Sequence, residues 1–240
     1  MLEKLKKEIQ ESADEEKAKI LQRFFKTGKG EYGEGDIFLG IIAPQMRNLA
    51  KKYGGLPLVK IQKLLNSKYN EARWIALVIL ANKFKKADEQ EKGNIFNFYL
   101  KNLKNINNWN LVDISAPHIV GNFLFEKDKK ILYELSRSEN LWERRIAIVS
   151  TFNFIKQNEF EDVLAISELL LNDKHDLIHK AVGWMLREVG KKDIEILKNF
   201  LREHYKNIPR TTLRYAIEKF EEEERKKWLK GDIVRLNNEK

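Results

Sequence analysis

Apolar side chains recur along this chain at every third or fourth position, the spacing that places them on one face of an α-helix. No stretch alternates apolar and polar residues for long enough to predict a β-strand. The pattern therefore predicts an all-α protein. The predicted helices are PQMRNLAKKY from residue 44, PLVKIQKLL from residue 57, and about 70–84, 89–103, 108–125, 141–154, 160–171, 177–189, 194–205 and 209–220.

Local signals mark where some of these helices begin. Ser12 and Glu15 form a capping-box pattern ahead of the run AKILQRFF, which predicts a helix start there. Pro44 and Pro57 stand at positions typical of a first helical turn. The ten residues 231–240 are read as a polar tail, so we expect a single domain over residues 1–230.

Five of the helical segments share an alanine among bulky residues: Ala76, Ala116, Ala147, Ala181 and Ala216. Successive alanines are 40, 31, 34 and 35 residues apart, close to the period of two-helix repeats. A small residue in each repeat lets one helix pack closely on its neighbour. The spacing predicts a curved solenoid of antiparallel helix pairs with one concave face. The alternative is an irregular helical bundle in which the alanines recur by chance.

Composition narrows the class of protein further. The chain has 240 residues, is 42% hydrophobic and lacks cysteine, so it is long enough for a continuous core and has no thiolate metal site. No apolar run reaches the roughly 18 residues of a membrane span, and the charged N-terminus has no signal-peptide core, so we expect a soluble cytoplasmic protein. The net charge of +9 favours an anionic partner, nucleic acid first, although many basic proteins bind none.

The segment GKGEYG contains a literal G-x-G-x-x-G pattern at Gly28, Gly30 and Gly33. A dinucleotide site needs a strand before this pattern and a helix starting at its third glycine. Here a predicted helix precedes it, and Glu34, Gly35 and Asp36 follow. We therefore predict a flexible connector without a nucleotide.

The segment NNWNLVDISAP places Trp109 and Asp113 one helical turn apart, on the same face. An asparagine at 107 or 108 is a suitable N-cap, which brings Asp113 near the positive end of the helix dipole. The ring of Pro117 would clash with the carbonyl of Asp113, so the helix must kink or restart there. The chain thus combines an acid, an indole and a backbone distortion, although a core tryptophan and a dipole-paired acid would give the same pattern.

A second pattern lies in KAVGWMLREVGKK. Lys180, Trp184, Arg187 and Lys191 are spaced to form a single stripe along one helix face. Cations suit phosphate oxygens and an indole suits a sugar or base, so the stripe is typical of nucleic-acid contact. A solvated basic face is the ordinary alternative. The four histidines show no metal-ligand spacing: His118, His175, His179 and His204.

Four segments together resemble a known family, the DNA alkylation repair proteins of the AlkD type, which are built from HEAT-like helical repeats. They are FLGIIAPQMRNL at 38–49, NWNLVDISAP at 108–117, LWERRIAI at 141–148 and KAVGWMLRE at 180–188. The combination of Trp-x-x-x-Asp before Ala-Pro with the later Gly-Trp-x-x-Arg-Glu carries the specificity. Two departures are Asn110, where related sequences often have aspartate, and the apolar Ile42.

The resemblance implies a DNA glycosylase that removes cationic alkylated purines, such as 3-methyladenine and 7-methylguanine, from duplex DNA. It implies that Asp113 is the catalytic acid in its ionised form, that Trp109 and Trp184 flank the deoxyribose of the lesion, and that Arg145 holds backbone phosphate. Further DNA contacts are expected from Arg47, Arg144, Lys180, Arg187 and Lys191. We expect a monomer that needs no metal, cofactor or membrane.

Two alternatives to this function stay open. The family includes branches without glycosylase activity that bind unusual DNA structures, and such a protein would use the same basic face. A helical-repeat scaffold that binds an acidic protein is the second alternative, and it predicts a DNA affinity no better than charge alone provides.

Overall fold

We describe residues 1–232 of the protein in a computed structural model. Within them the structure is helical and has no β-strand beyond an isolated bridge between Ile37 and Tyr69. The all-α prediction is confirmed. The predicted tail, 231–240, lies outside the described residues except for its first two. Across the described part of the chain, no helix is long and apolar enough to cross a membrane.

The chain divides into two compact units, Met1–Phe123 and Leu124–Lys240, and each is considered by itself. The prediction of one domain over 1–230 stays a prediction. The first unit contains α1 (Leu2–Glu11), α2 (Glu15–Phe24), α3 (Ala43–Lys52), α4 (Leu58–Leu65), α5 (Asn70–Phe84), α6 (Glu89–Lys101) and α7 (Trp109–Ala116). A turn named α8 (Asn122–Leu124) leads to α9 (Lys130–Ser136), α10 (Leu141–Ser150), α11 (Phe152–Lys156), α12 (Glu161–Leu170), α13 (Asp176–Lys192), α14 (Ile194–Glu203), α15 (Arg210–Ala216) and α16 (Glu222–Lys230).

Most helix starts agree with the sequence, but the predicted capping box is wrong. Asp14 is the N-cap of α2, and its carboxylate accepts a hydrogen bond from the backbone N–H of Lys17 at 3.0 Å. Ser12 instead ends α1, because its hydroxyl donates to the carbonyl of Glu8 at 2.7 Å. The carboxylate competes better for the free amides of the helix start, where the dipole favours negative charge.

Two predicted helices are interrupted by their own side chains. The helix predicted over 108–125 is α7 followed by a π-helical turn at Pro117–Gly121, the distortion expected from a proline inside a helix. The helix predicted over 141–154 breaks at Thr151 into α10 and α11. The hydroxyls of Ser150 and Thr151 donate to the carbonyls of Ile146 and Ile148, both at 2.6 Å, and so compete with the helix hydrogen bonds. The sequence pattern missed α9 and α16 altogether.

The glycine-rich segment 28–35 is a loop of turns, and α2 ends before it, so the prediction against a dinucleotide site is consistent with the backbone. Its third glycine has a packing role. A Cβ on Gly33 would collide with the carbonyl oxygen of Phe25, and the N–H of Gly33 bonds the carbonyl of Lys26 at 3.0 Å. The glycine therefore lets the loop return against the end of α2.

Each unit is organised around one central helix. In the first unit α5 packs against α3, α4, α6 and α7, which explains why it is apolar on nearly all sides. In the second unit α13 packs against α10, α12, α14 and α15. A Cβ on Gly183 would lie 2.6 Å from the carbonyl oxygen of Thr212, so α13 and α15 approach too closely for any side chain there. All five repeat alanines are buried, with at most 1% of their surface exposed.

A buried polar network fixes the centre of the first unit. Asp36 is 3% exposed, and its carboxylate forms an ion pair with Arg73. It also accepts hydrogen bonds from the side-chain amides of Asn70 and Asn108, each at 2.8 Å. A charge taken out of water is tolerated only when its oxygens are all satisfied in this way. The network therefore joins the loop after α2 to the starts of both α5 and α7.

We predict that Asp36→Asn lowers the free energy of unfolding by about 3–5 kcal/mol, because it leaves the buried guanidinium of Arg73 without its counter-charge. Denaturant unfolding followed by circular dichroism measures the change. The double variant Asp36→Leu, Arg73→Met should recover much of the loss, since it removes both charges. A loss below about 1 kcal/mol, the size expected for surface pairs such as Lys19–Glu16, would contradict the assignment.

Candidate active site on α7

Helix α7 presents Trp109 and Asp113 on one face, and both side chains are partly exposed. Of the two asparagines that the sequence offers as N-cap, the structure has Asn108, whose side-chain oxygen accepts from the backbone N–H of Trp109 at 2.8 Å. The same amide donates to Asp36, so the start of α7 is held from inside the protein. The π-helical turn at Pro117–Gly121 ends α7 one turn beyond Asp113. The acid thus lies on a short, anchored helix rather than on a mobile loop.

The indole of Trp109 is held by aromatic contacts that the sequence analysis missed. Its ring stacks on Phe25 with centroids 4.8 Å apart and planes 16° apart, and Phe25 stacks in turn on Phe38 at 4.5 Å. Phe24 meets the indole edge-on at 5.9 Å. Such contacts add about 0.5–1.5 kcal/mol per pair and fix the ring plane. The adjacent phenylalanines in LQRFF were the available signal, but only the fold places them beside Trp109.

Helix α7 also carries one member of a buried hydroxyl pair, formed by Ser115 and Tyr99 of α6. The hydroxyl of Ser115 donates to the carbonyl of Leu111 at 2.6 Å, so the hydroxyl of Tyr99 must donate to Ser115, 3.0 Å away. Burial raises the pKa of Tyr99 far above its ordinary value, and the negative charge of Asp113 adds to this shift. The Tyr99 hydroxyl therefore stays protonated at pH values where an exposed tyrosine would ionise, and it remains the donor to Ser115.

Asp113 lies three residues before Ala116, and arginine occupies the same position before two of the other shared alanines, as Arg73 before Ala76 and Arg144 before Ala147. Arg73 pairs with Asp36 and donates to the carbonyl of Ser67 at 2.8 Å. Arg144 pairs with Asp173 at 2.6 Å and donates to the carbonyl of Ser138 at 2.9 Å. In both, the accepting carbonyl belongs to the residue six positions earlier.

These shared contacts indicate a structural role for Arg73 and Arg144. The guanidinium of Arg144 also donates to the carbonyl of Glu139, so all three of its nitrogens are engaged. The DNA contact expected from Arg144 stays a prediction, and the contacts of Arg144 within the protein do not favour it. Asp113 is the one acid at this position, which Ile178 and Leu213 occupy before Ala181 and Ala216.

Arg145, the residue implied to hold phosphate, is 5% exposed. One of its terminal nitrogens donates to the carbonyl of Leu177 at 2.7 Å, at the start of α13. The sequence did not anticipate this burial, because two adjacent arginines, Arg144 and Arg145, give no sign of which one points inward; the structure leaves Arg144 only half-buried.

The predicted stripe on α13 lies on one partly exposed helix face. Trp184 contacts Phe152 with centroids 5.8 Å apart. Each cation, however, has an acidic neighbour. Lys180 pairs with Asp176 at 2.7 Å, Lys191 pairs with Glu188 at 2.7 Å, and Arg187 pairs with Glu218. The stripe is therefore a mixed-charge face in the free protein.

Arg47 on α3 is exposed, and its guanidinium lies 5.6 Å from the ring centroid of Trp74, a cation–π contact. No carboxylate lies within 4 Å of it in the part of the chain that the structure describes. Trp74 also lines an apolar cavity of about 390 Å³ bounded by α2, α3 and α5. Arg47 is thus a cation available to an external anion.

The wall of this cavity includes Glu71, another residue that the sequence analysis did not single out. It is 1% exposed, and one carboxylate oxygen accepts from the backbone N–H groups of residues 39, 40 and 41 at 2.9, 2.9 and 3.3 Å. Burial raises the pKa of Glu71 above its ordinary value, and the three backbone hydrogen bonds oppose the shift. Glu71 therefore fixes the segment that leads into α3. In residues 1–232, no three histidine or acidic side chains are grouped so that they could hold a metal ion.

The comparisons with known proteins give the family of this helical chain. The sequence model of the family described as "DNA alkylation repair enzyme" matches residues 5–220. The chain belongs to this family, and the resemblance seen in four of its segments is confirmed. A sequence search of curated proteins finds no match.

Two solved structures share the fold. One is described as a predicted DNA alkylation repair enzyme from Enterococcus faecalis, with a TM-score of 0.69 and 16% identity over 88% of this chain and 98% of that one. The other is AlkD2 from Streptococcus mutans, with a TM-score of 0.53 and 17% identity over 87% of this chain and 99% of that one. At these identities the likeness concerns the fold.

We predict that Glu71→Gln changes how stability depends on pH. Between about pH 4.5 and the raised pKa, folded Glu71 keeps a proton that the unfolded chain has lost, so the free energy of unfolding of the wild type falls as the pH rises through this window. Glutamine carries no such proton. The free energy of unfolding of the variant relative to wild type should therefore rise above pH 4.5 and stay constant below it. Urea titrations at several pH values measure this difference, with the exposed Glu126→Gln as control; parallel profiles would contradict it.

Proposed function

We propose that this protein is a DNA glycosylase that excises cationic N3- and N7-alkylated purines, such as 3-methyladenine and 7-methylguanine, from duplex DNA as the first step of base excision repair. The observation that carries the proposal is the anchored α7, which presents an indole and a carboxylate together in a chain of the DNA alkylation repair family. The aromatic stack on Trp109 and the Asn108 cap, which hold α7 and its indole in place, also support the proposal.

The chemistry requires little more than a fixed negative charge. An N-alkylated purine is already cationic, so it leaves with the electrons of its glycosidic bond and without a general acid. The barrier is the formation of an oxocarbenium-like sugar. A carboxylate about 4 Å from that cation contributes roughly 4 kcal/mol at an effective dielectric near 20, or about a thousandfold in rate. We propose that ionised Asp113 supplies this charge and orients the attacking water.

Trp109 is proposed to lie against the sugar of the lesion. A cation over an indole face gains about 0.5–2 kcal/mol, and the ring also excludes water from the carboxylate. The stack on Phe25 and Phe38 means that the ring needs no ordering when DNA binds, so little entropy is lost. Trp184 is proposed for an equivalent contact from α13.

The proposed phosphate contacts require changes of partner. Lys180, Arg187 and Lys191 each hold an acidic side chain in the free protein, but ion pairs at a surface contribute only about 0–1 kcal/mol, so a phosphate can replace them. Arg47 needs no such exchange. Because Arg145 is buried, it would reach DNA only if its side chain changed conformation.

We further propose that the helix pairs are HEAT-like repeats, on the spacing and burial of the five alanines. A single repeat domain over 1–230, a monomeric cytoplasmic protein and a reaction without a cofactor complete the proposal. Recognition would rest on the lability and charge of the glycosidic bond, so the base need not be flipped into a closed pocket.

We predict that the protein releases 7-methylguanine from duplex DNA and that Asp113→Asn lowers the single-turnover rate by about a thousandfold, because the amide cannot offset the sugar cation. Trp109→Ala should lower it by about tenfold through the lost cation–π contact. Chromatography of the released base measures both rates.

Glu126→Gln is the matched control for Asp113→Asn, since it removes one exposed carboxylate elsewhere and should retain the wild-type rate. Wild type that binds duplex DNA yet releases no base would favour the non-catalytic DNA-binding alternative. Equal rates for wild type and both site variants would remove Asp113 and Trp109 from the mechanism.

We also predict selection by charge. In duplexes of the same sequence, a neutral lesion such as hypoxanthine should be excised far more slowly than 7-methylguanine, because Asp113 stabilises a sugar cation but does nothing to activate a neutral leaving base. Single-turnover rates for the two lesions measure the ratio. Equal rates would show that the site protonates or otherwise recognises the base itself.

A further inference from the structure

A cluster of lysines lies in the first unit, at the ends of α3 and α5. A cleft of about 650 Å³ is formed by the ends of α3 and α5 and the start of α6. Four lysines line it, together with Asn82 and a single acid, Glu91; the lysines are Lys51, Lys83, Lys85 and Lys86. We name it the lysine cleft.

These lysines differ from the cations of α13 because they have no acidic partner. Among the described residues, no carboxylate lies within 4 Å of any of the four ammonium groups, whereas the neighbouring Lys52 pairs with Glu8 at 2.6 Å. Four like charges share one concavity with the single acid Glu91, which forms an ion pair with none of them. That arrangement costs repulsion in the free protein and is relieved by a bound anion.

The lysines are not needed to cap their helices. The N–H of Lys85 bonds the carbonyl of Ala81 at 3.1 Å, and the N–H of Lys86 bonds that of Lys83 at 2.9 Å. At the end of α3, the N–H of Tyr53 bonds the carbonyl of Leu49 at 2.9 Å. These backbone contacts already satisfy carbonyls at both helix ends, so helix capping leaves the clustering of the lysines unexplained.

The cleft also shows which anion it suits. A compact site for one phosphate uses converging backbone N–H groups, but here the amides of Gly54, Lys85 and Lys86 are already bonded. A protein partner would need an apolar or aromatic anchor, and Ala50 is the single apolar side chain in the wall. The four ammonium groups provide positive charge without a fixed hydrogen-bond direction, which suits a row of backbone phosphates.

We propose that the lysine cleft binds backbone phosphates of the DNA duplex, as a contact surface additional to the catalytic face of α7. The inference rests on the proposed function, because the duplex is the substrate named there. Lys85 and Lys86 are the most informative residues, since both are exposed and neither supports a neighbouring side chain.

The test is a salt titration of binding to a short undamaged duplex, followed by fluorescence anisotropy. Lys85→Gln, Lys86→Gln should bind more weakly by up to about tenfold per lost contact at 0.1 M salt, because each contact contributes about 0.9 to the slope of log K against log salt. The slope should therefore fall by about 2. The control is Lys19→Gln, Lys226→Gln, which removes the same charge from two lysines paired within their own helices.

A reciprocal variant strengthens the test. Glu91→Gln removes the one carboxylate of the cleft and should tighten binding, whereas Glu16→Gln, on α2, should not. Thermal melting of every variant reports its folding. If both double-lysine variants weaken binding equally, net charge alone is responsible and the cleft inference fails.

Two further arms separate the possible failures. A cleft variant that loses affinity for polyglutamate while it binds duplex DNA like wild type would overturn the inference in favour of an acidic protein. Base release from a 7-methylguanine duplex is measured with the same wild-type preparation. If wild type releases base while the cleft variant binds duplex DNA like wild type, the cleft inference alone fails. Wild type that releases none, with the slope still reduced in the cleft variant, supports the cleft and overturns the glycosylase.

Discussion

The first unit depends on the buried carboxylate of Asp36. It is tied to Arg73 and Asn70 at the start of α5 and to Asn108 at the start of α7. Because a charge at this depth is stable only with all its partners present, the three segments are held in one arrangement. The loop that carries Phe38 and the helix that carries Asp113 are therefore anchored to the same carboxylate. The rigidity of the candidate site follows from the interior of the protein rather than from its surface.

The structure gives a reason to look for function at Asp113 that does not rely on family resemblance. At the corresponding position of two other repeats an arginine joins an aspartate to a carbonyl six residues earlier, which is a structural contact. In the repeat that contains α7 this arginine is replaced by an acid, and Asn108 is tied directly to Asp36. Helix α7 thus keeps a connection to a buried aspartate through Asn108 rather than through the position of Asp113.

Cationic side chains illustrate how far sequence reasoning reaches. The helical spacing of Lys180, Arg187 and Lys191 placed them on one face correctly. One of the acids that pair with them, Glu218, comes from the turn after α15, and spacing within one helix cannot reveal that. The lysines at 51, 83, 85 and 86 form no periodic pattern, yet the folded chain gathers them around one cleft. Adjacent arginines 144 and 145 are likewise indistinguishable in sequence, and only packing shows that Arg145 is the buried one. Charge and spacing in the sequence identify candidate anion-binding residues. The folded environment decides which of these residues lack an acidic partner.

The sequence by itself determined the helical class, the regular spacing of five alanines, an asparagine cap at residue 107 or 108, the break at Pro117 and the placement of Trp109 and Asp113 on one helix face. All of these follow from interactions between residues a few positions apart, or from a period, and so can be read from one chain. The tertiary structure alone decided the ring stack on Trp109, the network around Asp36, the raised pKa of Glu71 and the partners of each arginine. These depend on contacts between residues far apart in sequence, and on the removal of water from around them, which no local pattern specifies.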